Sequence, residues 1–312
     1  MPSWLDTYHV AGRQLIAFLS IMAAGLLAAG CGERSEPLGE LPAPYPVTVQ
    51  GAGDDPLELA AAPERIVALD AGSAELVSAL GAGSRLVGAP PGVRTESGDP
   101  ADVVRPTGQI DVAAVVELAP DLVVATPDTD RVEVAQVERQ TDARVYLQPS
   151  RSIESVLRAV IELGFLVGEP AKARKLAGEL ERAVAEIEQR IAGAEPVTVF
   201  VDRGFLLTIL DDSLLGDLIR KAHGENIAAG AAGLGPFSAE ELQAANPDVY
   251  LATSDSEVTL ASLRRDPKTS GLRAVESGRV VILPEELVLR AGPRVAEALE
   301  AVAVALHPDV FR

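Results

Sequence analysis

The feature that most constrains this chain is a repeat. Leu118-Ala119-Pro120-Asp121-Leu122-Val123-Val124-Ala125-Thr126 returns, 127 residues later, as Ala245-Asn246-Pro247-Asp248-Val249-Tyr250-Leu251-Ala252-Thr253. Each copy closes an apolar-periodic helix (residues 112–118 and 240–245), breaks at the proline and enters a short continuous apolar run. Proline lacks the N–H that a continuing helix needs, and an uninterrupted β-branched run fits a strand buried on both faces. Three further pairs keep the same order: residues 65–70 with 197–202 as opening strands, 74–80 with 214–223 as helices, and 144–149 with 279–284 as closing strands. A segment repeated once in register predicts two copies of one supersecondary unit. The predicted fold is therefore α/β, with two Rossmann-like lobes of parallel strands and helical crossovers.

Between the halves, Pro170 and Gly193 bracket a run in which Leu176, Leu180, Val184, Ile187 and Ile191 recur at spacings of three and four. That spacing marks one face of a helix, started by proline and stopped by glycine. At about 1.5 Å per residue it reaches roughly 35 Å, enough to join the lobes as a single long backbone helix. Residues 47–59, with Gly-Ala-Gly-Asp-Asp-Pro at their centre, read as a hairpin leading into lobe one. The expected partition is 1–30 leader, 31–46 tether, 47–168 N-terminal lobe, 169–194 interlobe helix and 195–312 C-terminal lobe.

The leader assignment rests on a sixteen-residue apolar run, 15–30, preceded by Arg13. A membrane-spanning helix needs about 20 apolar residues, so this run fits a signal-peptide core better. It ends in Leu27-Ala28-Ala29-Gly30-Cys31, which resembles the bacterial lipobox. That resemblance implies cleavage before Cys31 and lipidation of its thiol. The protein would then sit on the extracytoplasmic side of the cell membrane, held by its lipid. The same segment also fits an uncleaved anchor, or a secretory signal with an incidental cysteine. Residues 32–46 contain four prolines, three glutamates and two glycines, a composition that buries no core.

Cys31 is the only cysteine, which excludes an intrachain disulfide and a cysteine-clustered metal site. A net charge of −19 argues against nucleic-acid partners.

Several stretches together resemble the substrate-binding proteins of ABC importers, in the helical-backbone class that serves siderophores, cobalamin and haem. They are residues 47–59, Ala62-Pro63-Glu64-Arg65-Ile66-Val67-Ala68-Leu69, Gly108-Gln109-Ile110-Asp111, Gly224-Glu225-Asn226-Ile227, residues 235–242 and Arg290-Ala291-Gly292-Pro293-Arg294. The resemblance covers residues 47–307. It implies a monomer that captures a small ligand between its lobes, without catalysis or a cofactor, and delivers it to a membrane permease. It also implies that one glutamate on each lobe docks the permease. Glu240 matches that position in lobe two, whereas lobe one has Ala113 there, with Asp111 and Glu117 nearby.

Parallel α/β sheets bind ligands outside the carboxyl ends of their strands, where helix N-termini and free N–H groups converge. The strand-end loops are 70–73, 90–94, 126–131, 202–205, 236–237, 254–256 and 286–290. They supply the candidate ligand-binding residues Ser73, Arg94, Arg131, Arg203, Phe205, Phe237 and Arg290. Four arginines suit carboxylate, phosphate or catecholate oxygens, so a ferric siderophore or similar anionic metal chelate is expected. Each arginine equally fits pairing with a neighbouring acid such as Asp130 or Asp202. Aromatic residues make up only 4% of the chain and its one tryptophan lies in the leader, which argues against a haem or cobalamin platform. His223 and His307 read as surface or capping residues.

Other classes remain open. Gly81-Ala82-Gly83 begins a dinucleotide-type pattern, but Leu86 stands where the third glycine belongs, and no catalytic motif is complete. An enzyme or metal-insertion protein on the same fold, or a sensor uncoupled from transport, are the alternatives.

Overall fold

A computed structural model describes residues 45–230 and 236–312. The leader, the tether up to residue 44 and Cys31 lie outside the described residues. The chain opens with an antiparallel hairpin, β1 (Val47–Val49) and β2 (Leu57–Leu59). Lobe one follows with β3 (Ile66–Ala68), α1 (Ala71–Ala79), β4 (Leu86–Ala89), β5 (Ala101–Asp102), α2 (Val112–Glu117), β6 (Leu122–Ala125), α3 (Arg131–Gln140) and β7 (Arg144–Leu147). Then come α4 (Ile153–Leu166) and α5 (Pro170–Ile191). Lobe two has β8 (Val197–Asp202), α6 (Leu214–Lys221), β9 (Gly224–Asn226), α7 (Ala239–Ala245), β10 (Val249–Thr253), α8 (Leu260–Arg265), α9 (Arg273–Glu276), β11 (Val280–Leu283), α10 (Glu285–Val288) and α11 (Val295–Leu306).

Both large sheets are wholly parallel. Lobe one is ordered β5-β4-β3-β6-β7 and lobe two β9-β8-β10-β11. Among the described residues four strands therefore correspond one to one, and only β5 has no counterpart. The physical content of the repeated Pro-Asp is now visible. The Asp121 carboxylate accepts from the amides of Glu64 (2.7 Å) and Arg65 (3.0 Å), where the chain enters β3. The Asp248 carboxylate accepts from the Thr198 amide (3.0 Å) and hydroxyl (2.7 Å) at the start of β8 and pairs with Arg273. Each aspartate thus fastens the start of its own strand to the start of the neighbouring parallel one.

The helix at 170–191 forms as the spacing predicts, and it buries Ala173, Ala177, Leu180, Val184, Ile187 and Ile191. At about 1.5 Å per residue it runs roughly 33 Å. Near its start, Lys172 packs against Gly81 of lobe one; near its end, Glu188 pairs with Lys221 of lobe two at 2.8 Å. A second helix braces it. Helix α4 packs antiparallel beside it, capped by a Ser152–Ser155 capping box, and its first amide, Ile153, donates to Asp217 of lobe two at 2.9 Å. Gly164 is what lets the two helices close: a Cβ there would lie 2.1 Å from that of Ala173. Packed together, the two helices resist bending better than α5 would alone.

One apolar cluster runs through β3, α1, α4, α5, β8, α6 and α11, so both lobes share a core. A smaller cluster lies on the opposite face of each sheet. The hairpin covers the outer edge of β7 through the Ala52 amide, which donates to the Leu147 carbonyl at 2.7 Å. The equivalent edge strand of lobe two, β11, leaves Ile282 43% exposed. No helix of the described residues is long and apolar enough to cross a membrane.

Asp248 carries a direct test. The Thr198 amide and hydroxyl and the Arg273 charge favour its ionised form and hold its pKa below the usual carboxylate range, against the opposing effect of burial. A carboxyl lowered on folding stabilises the fold above its unfolded pKa, and this contribution is lost as pH falls through the folded value. Asp248→Asn should cost about 1–2 kcal/mol in urea denaturation at pH 7, and the gap from wild type should close below the folded pKa.

Candidate functional site

The carboxyl ends of the two sheets face each other. Asp70 ends the loop after β3 and Asp202 ends β8, and the repeat gives them parallel work. Asp70 caps α1, accepting from the Ser73 amide at 2.9 Å and from the Ser73 hydroxyl. Burial raises its carboxyl above the usual carboxylate range, with Ser73, the Gly72 amide and Arg290 acting against that rise. Asp202 accepts from the amides of Gly204 (2.7 Å) and Leu206 (3.0 Å) and from the Tyr250 hydroxyl (2.6 Å). Those bonds hold Phe205 and Leu206 in left-handed conformations, at φ +55° and +61°, which cost a non-glycine residue about 1 kcal/mol or more each. Burial, then the Asp202 charge and hydrogen bond, push the Tyr250 phenol far up.

The lobes meet where α1 abuts the loop before α11. Gly72 lies so close to Ala291 that a Cβ would sit 2.9 Å from its carbonyl oxygen. Gln148 of the crossover donates to the same oxygen at 2.8 Å. Farther along the seam, Arg151 pairs with Asp212 of lobe two at 2.6 Å and approaches Asp128 of lobe one at 3.8 Å.

A cavity of about 630 Å³ opens beside this contact and takes its lining from both lobes. Lobe one contributes Ala71, Glu75 and Ser78, on one face of α1, and the turn after β4 that ends in Arg94. Lobe two contributes Glu286, Arg290, Pro293 and Arg294. Glu75 takes Arg290 on one carboxylate oxygen at 3.0 Å and Arg294 on the other at 3.5 Å. Glu286 lies 3.7 Å from Arg290. Arg94 is exposed and makes no ion pair among the described residues.

Of the residues singled out by sequence, Arg94 and Arg290 are brought together in this cavity. Arg203 is not among its lining; it pairs with Glu285 at 3.1 Å rather than with Asp202. Arg131 opens α3 at the end of β6, exposed, while Asp130 spends its carboxylate on capping that helix. Phe205 stands 91% exposed at the carboxyl end of β8. One expectation needs correction. Ser73 is 0% exposed with its hydroxyl committed to Asp70, because α1 begins beneath lobe two, so it offers nothing to a ligand. Phe237 is half-buried, packed on Phe200 with ring centroids 5.3 Å apart at the margin of the lobe-two core. His307 does cap a helix, α11, but it is buried rather than at the surface, with Nε2 2.8 Å from the Ala222 carbonyl; burial lowers its pKa. His223 ends α6 with a left-handed backbone.

Sequence reasoning missed Glu75, Glu286 and Arg294. Glu75 carried a signal: it is the only charged residue of α1. Among the described residues no three His, Cys, Asp or Glu side chains gather as metal ligands.

A family model for periplasmic binding proteins matches residues 66–287. The chain belongs to that family. Along 310 residues it is 26% identical to YvrC of Bacillus subtilis (strain 168), an uncharacterized ABC transporter substrate-binding lipoprotein, covering 94% of this chain and 97% of that one. It is 27% identical over 281 residues to a cobalamin-binding protein of Halobacterium salinarum (strain ATCC 700922 / JCM 11081 / NRC-1), covering 84% and 74%. The vitamin B12 binding protein BtuF of Vibrio cholerae superposes with a TM-score of 0.69 at 20% identity, over 80% of this chain and 98% of that one. At that identity the likeness speaks for the fold. This periplasmic binding protein has the family's two parallel α/β lobes.

The lobe contact is testable at Gly72. Gly72→Ala should cost about 1–3 kcal/mol in urea denaturation, because the added methyl meets backbone that cannot rotate away. Gly178→Ala, in α5 with open space around it, should be neutral or stabilise by up to about 1 kcal/mol.

Proposed function

We propose that this protein captures a bulky metal chelate in the cavity between its lobes and delivers it to an ABC-type permease. The observation that carries the reading is the cavity itself: both lobes build it, and Arg290 and Arg94 enter it from opposite sides. Coordinated metal complexes of siderophore or corrinoid type present oxygen acceptors and amides around a compact body, which an arginine–glutamate lining matches. Ferric siderophores suit the low aromatic content; the corrinoid is the ligand for which the Halobacterium relative is named. Exposed Phe205 and Arg131, at strand ends outside the cavity lining, would meet a ligand extending past it.

Delivery rests on the surface of α7. Glu240 is exposed, and its own amide and the Ser238 hydroxyl favour ionisation, holding its pKa below the ordinary carboxylate range. It is two residues past the Ser238 cap, and Ala113 is two past the Asp111 cap of α2, so the lobes differ at matched positions. Docking would then lean on lobe two. The leader over 1–30, lipid attachment at Cys31 and the 31–46 tether complete the reading and place the protein outside the cytoplasm, as the description of YvrC as a lipoprotein supports. A second reading, ligand presentation without transport, is favoured by Ala113 alone.

Native mass spectrometry of the full chain in detergent, offered ferric siderophores, cyanocobalamin and haem separately, should retain one of them at one equivalent. Arg94→Ala should weaken that complex about ten-fold or more without changing the urea midpoint. Retention of none sinks the proposal. In cells, Glu240→Ala should reduce uptake of the retained ligand while leaving its binding intact; unchanged uptake would favour presentation without transport.

A further inference from the structure

Among the described residues, Glu75 is the one carboxylate of lobe one that pairs with arginines of lobe two. It rises from α1 on the face shared by Ala71 and Ser78, and each of its oxygens holds a different guanidinium. The lining therefore sets three arginines against two glutamates, and only Arg94 is left without an ion pair among the described residues. Glu286 is the weaker partner, farther from Arg290 and 62% exposed against 26% for Glu75. Charge inside a partly buried cavity is felt more strongly than in bulk water, so one carboxylate changes what the site accepts.

We propose that Glu75 determines specificity by occupying the Arg290–Arg294 pair with the protein's own carboxylate. This rests on the cavity being the solute site. With Glu75 in place, the cavity has one uncompensated positive charge and admits a cargo that brings about one negative group, which Arg94 receives. Polyanions are disfavoured, because their additional carboxylates find the remaining arginines already matched and meet Glu75 as a like charge.

The experiment uses citrate, a tricarboxylate, titrated calorimetrically into the full chain in detergent. Glu75→Gln keeps the shape of the side chain and removes its charge. It should bind citrate about ten-fold more tightly than wild type, and adding Arg290→Gln should abolish the gain. Equal citrate affinity in wild type and Glu75→Gln, or a gain that survives Arg290→Gln, overturns the proposal. Glu75→Asp keeps the charge and should stay near wild type; a gain as large as that of Glu75→Gln would assign the effect to loosened lobes and overturn it too. Haem, with two carboxylates, should gain from Glu75→Gln relative to cyanocobalamin, which has no net charge. If neither chelate binds any variant, the cargo reading fails while the citrate comparison still decides the role of Glu75.

Discussion

The apolar layer shared by both lobes is what everything else in this protein hangs from. Helices α1, α4, α5, α6 and α11 contribute to one buried cluster, together with the first strand of each sheet. Interiors packed at this density deform little and transmit displacement. The shared layer therefore resists relative movement of the lobes, and α4 and α5 approach closely within it because Gly164 meets Ala173. A cavity whose walls come from two lobes keeps its shape only under such a constraint. The ion pairs of Glu75 and Arg151 across the seam add orientation, and being partly exposed they add little stability.

The duplication divides labour unevenly. Residues that hold the fold are repeated: Asp121 and Asp248 fasten adjacent strands, and Asp70 and Asp202 each arrange the loop that follows the first strand. Residues that line the cavity are not. Glu75 and Arg94 come from the α1 and β4 region of lobe one, whereas Arg290 and Arg294 flank the start of α11 in lobe two. Even the outer edges differ, with β7 covered by the hairpin and β11 open. Duplicated folding units can diverge in this way because loops beyond strand ends are freer to change than the strands themselves.

Strong periodic signals were legible without coordinates. The parallel strands, the hairpin and the helix at 170–191 follow from short-range rules in which a side chain answers to neighbours a few residues away. Helix α4 obeys the same rules, with Ile153, Val156, Val160 and Leu163 on one face and a capping box before them. The site was only partly legible. Arg94 and Arg290, from strand-end loops, line the cavity, whereas Ser73 lies under the opposite lobe and Phe237 is half-buried against Phe200.

By itself the sequence determined that this chain makes two similar α/β halves, joined by a long amphipathic helix, with arginines at strand ends. The tertiary structure decided which charges meet. Arg290 and Glu75 are 215 residues apart in the chain and 3.0 Å apart in space. No periodicity encodes such a contact, because it depends on how one lobe settles on the other through Gly72 and Ala291. Of the four arginines singled out by sequence, Arg203 and Arg290 pair with acids that are distant in the chain or beyond the ones expected, Glu285 and Glu75. Ion pairing acts over a few ångströms of real distance, so only the packed chain shows that Glu75 already holds two of the cavity's three arginines.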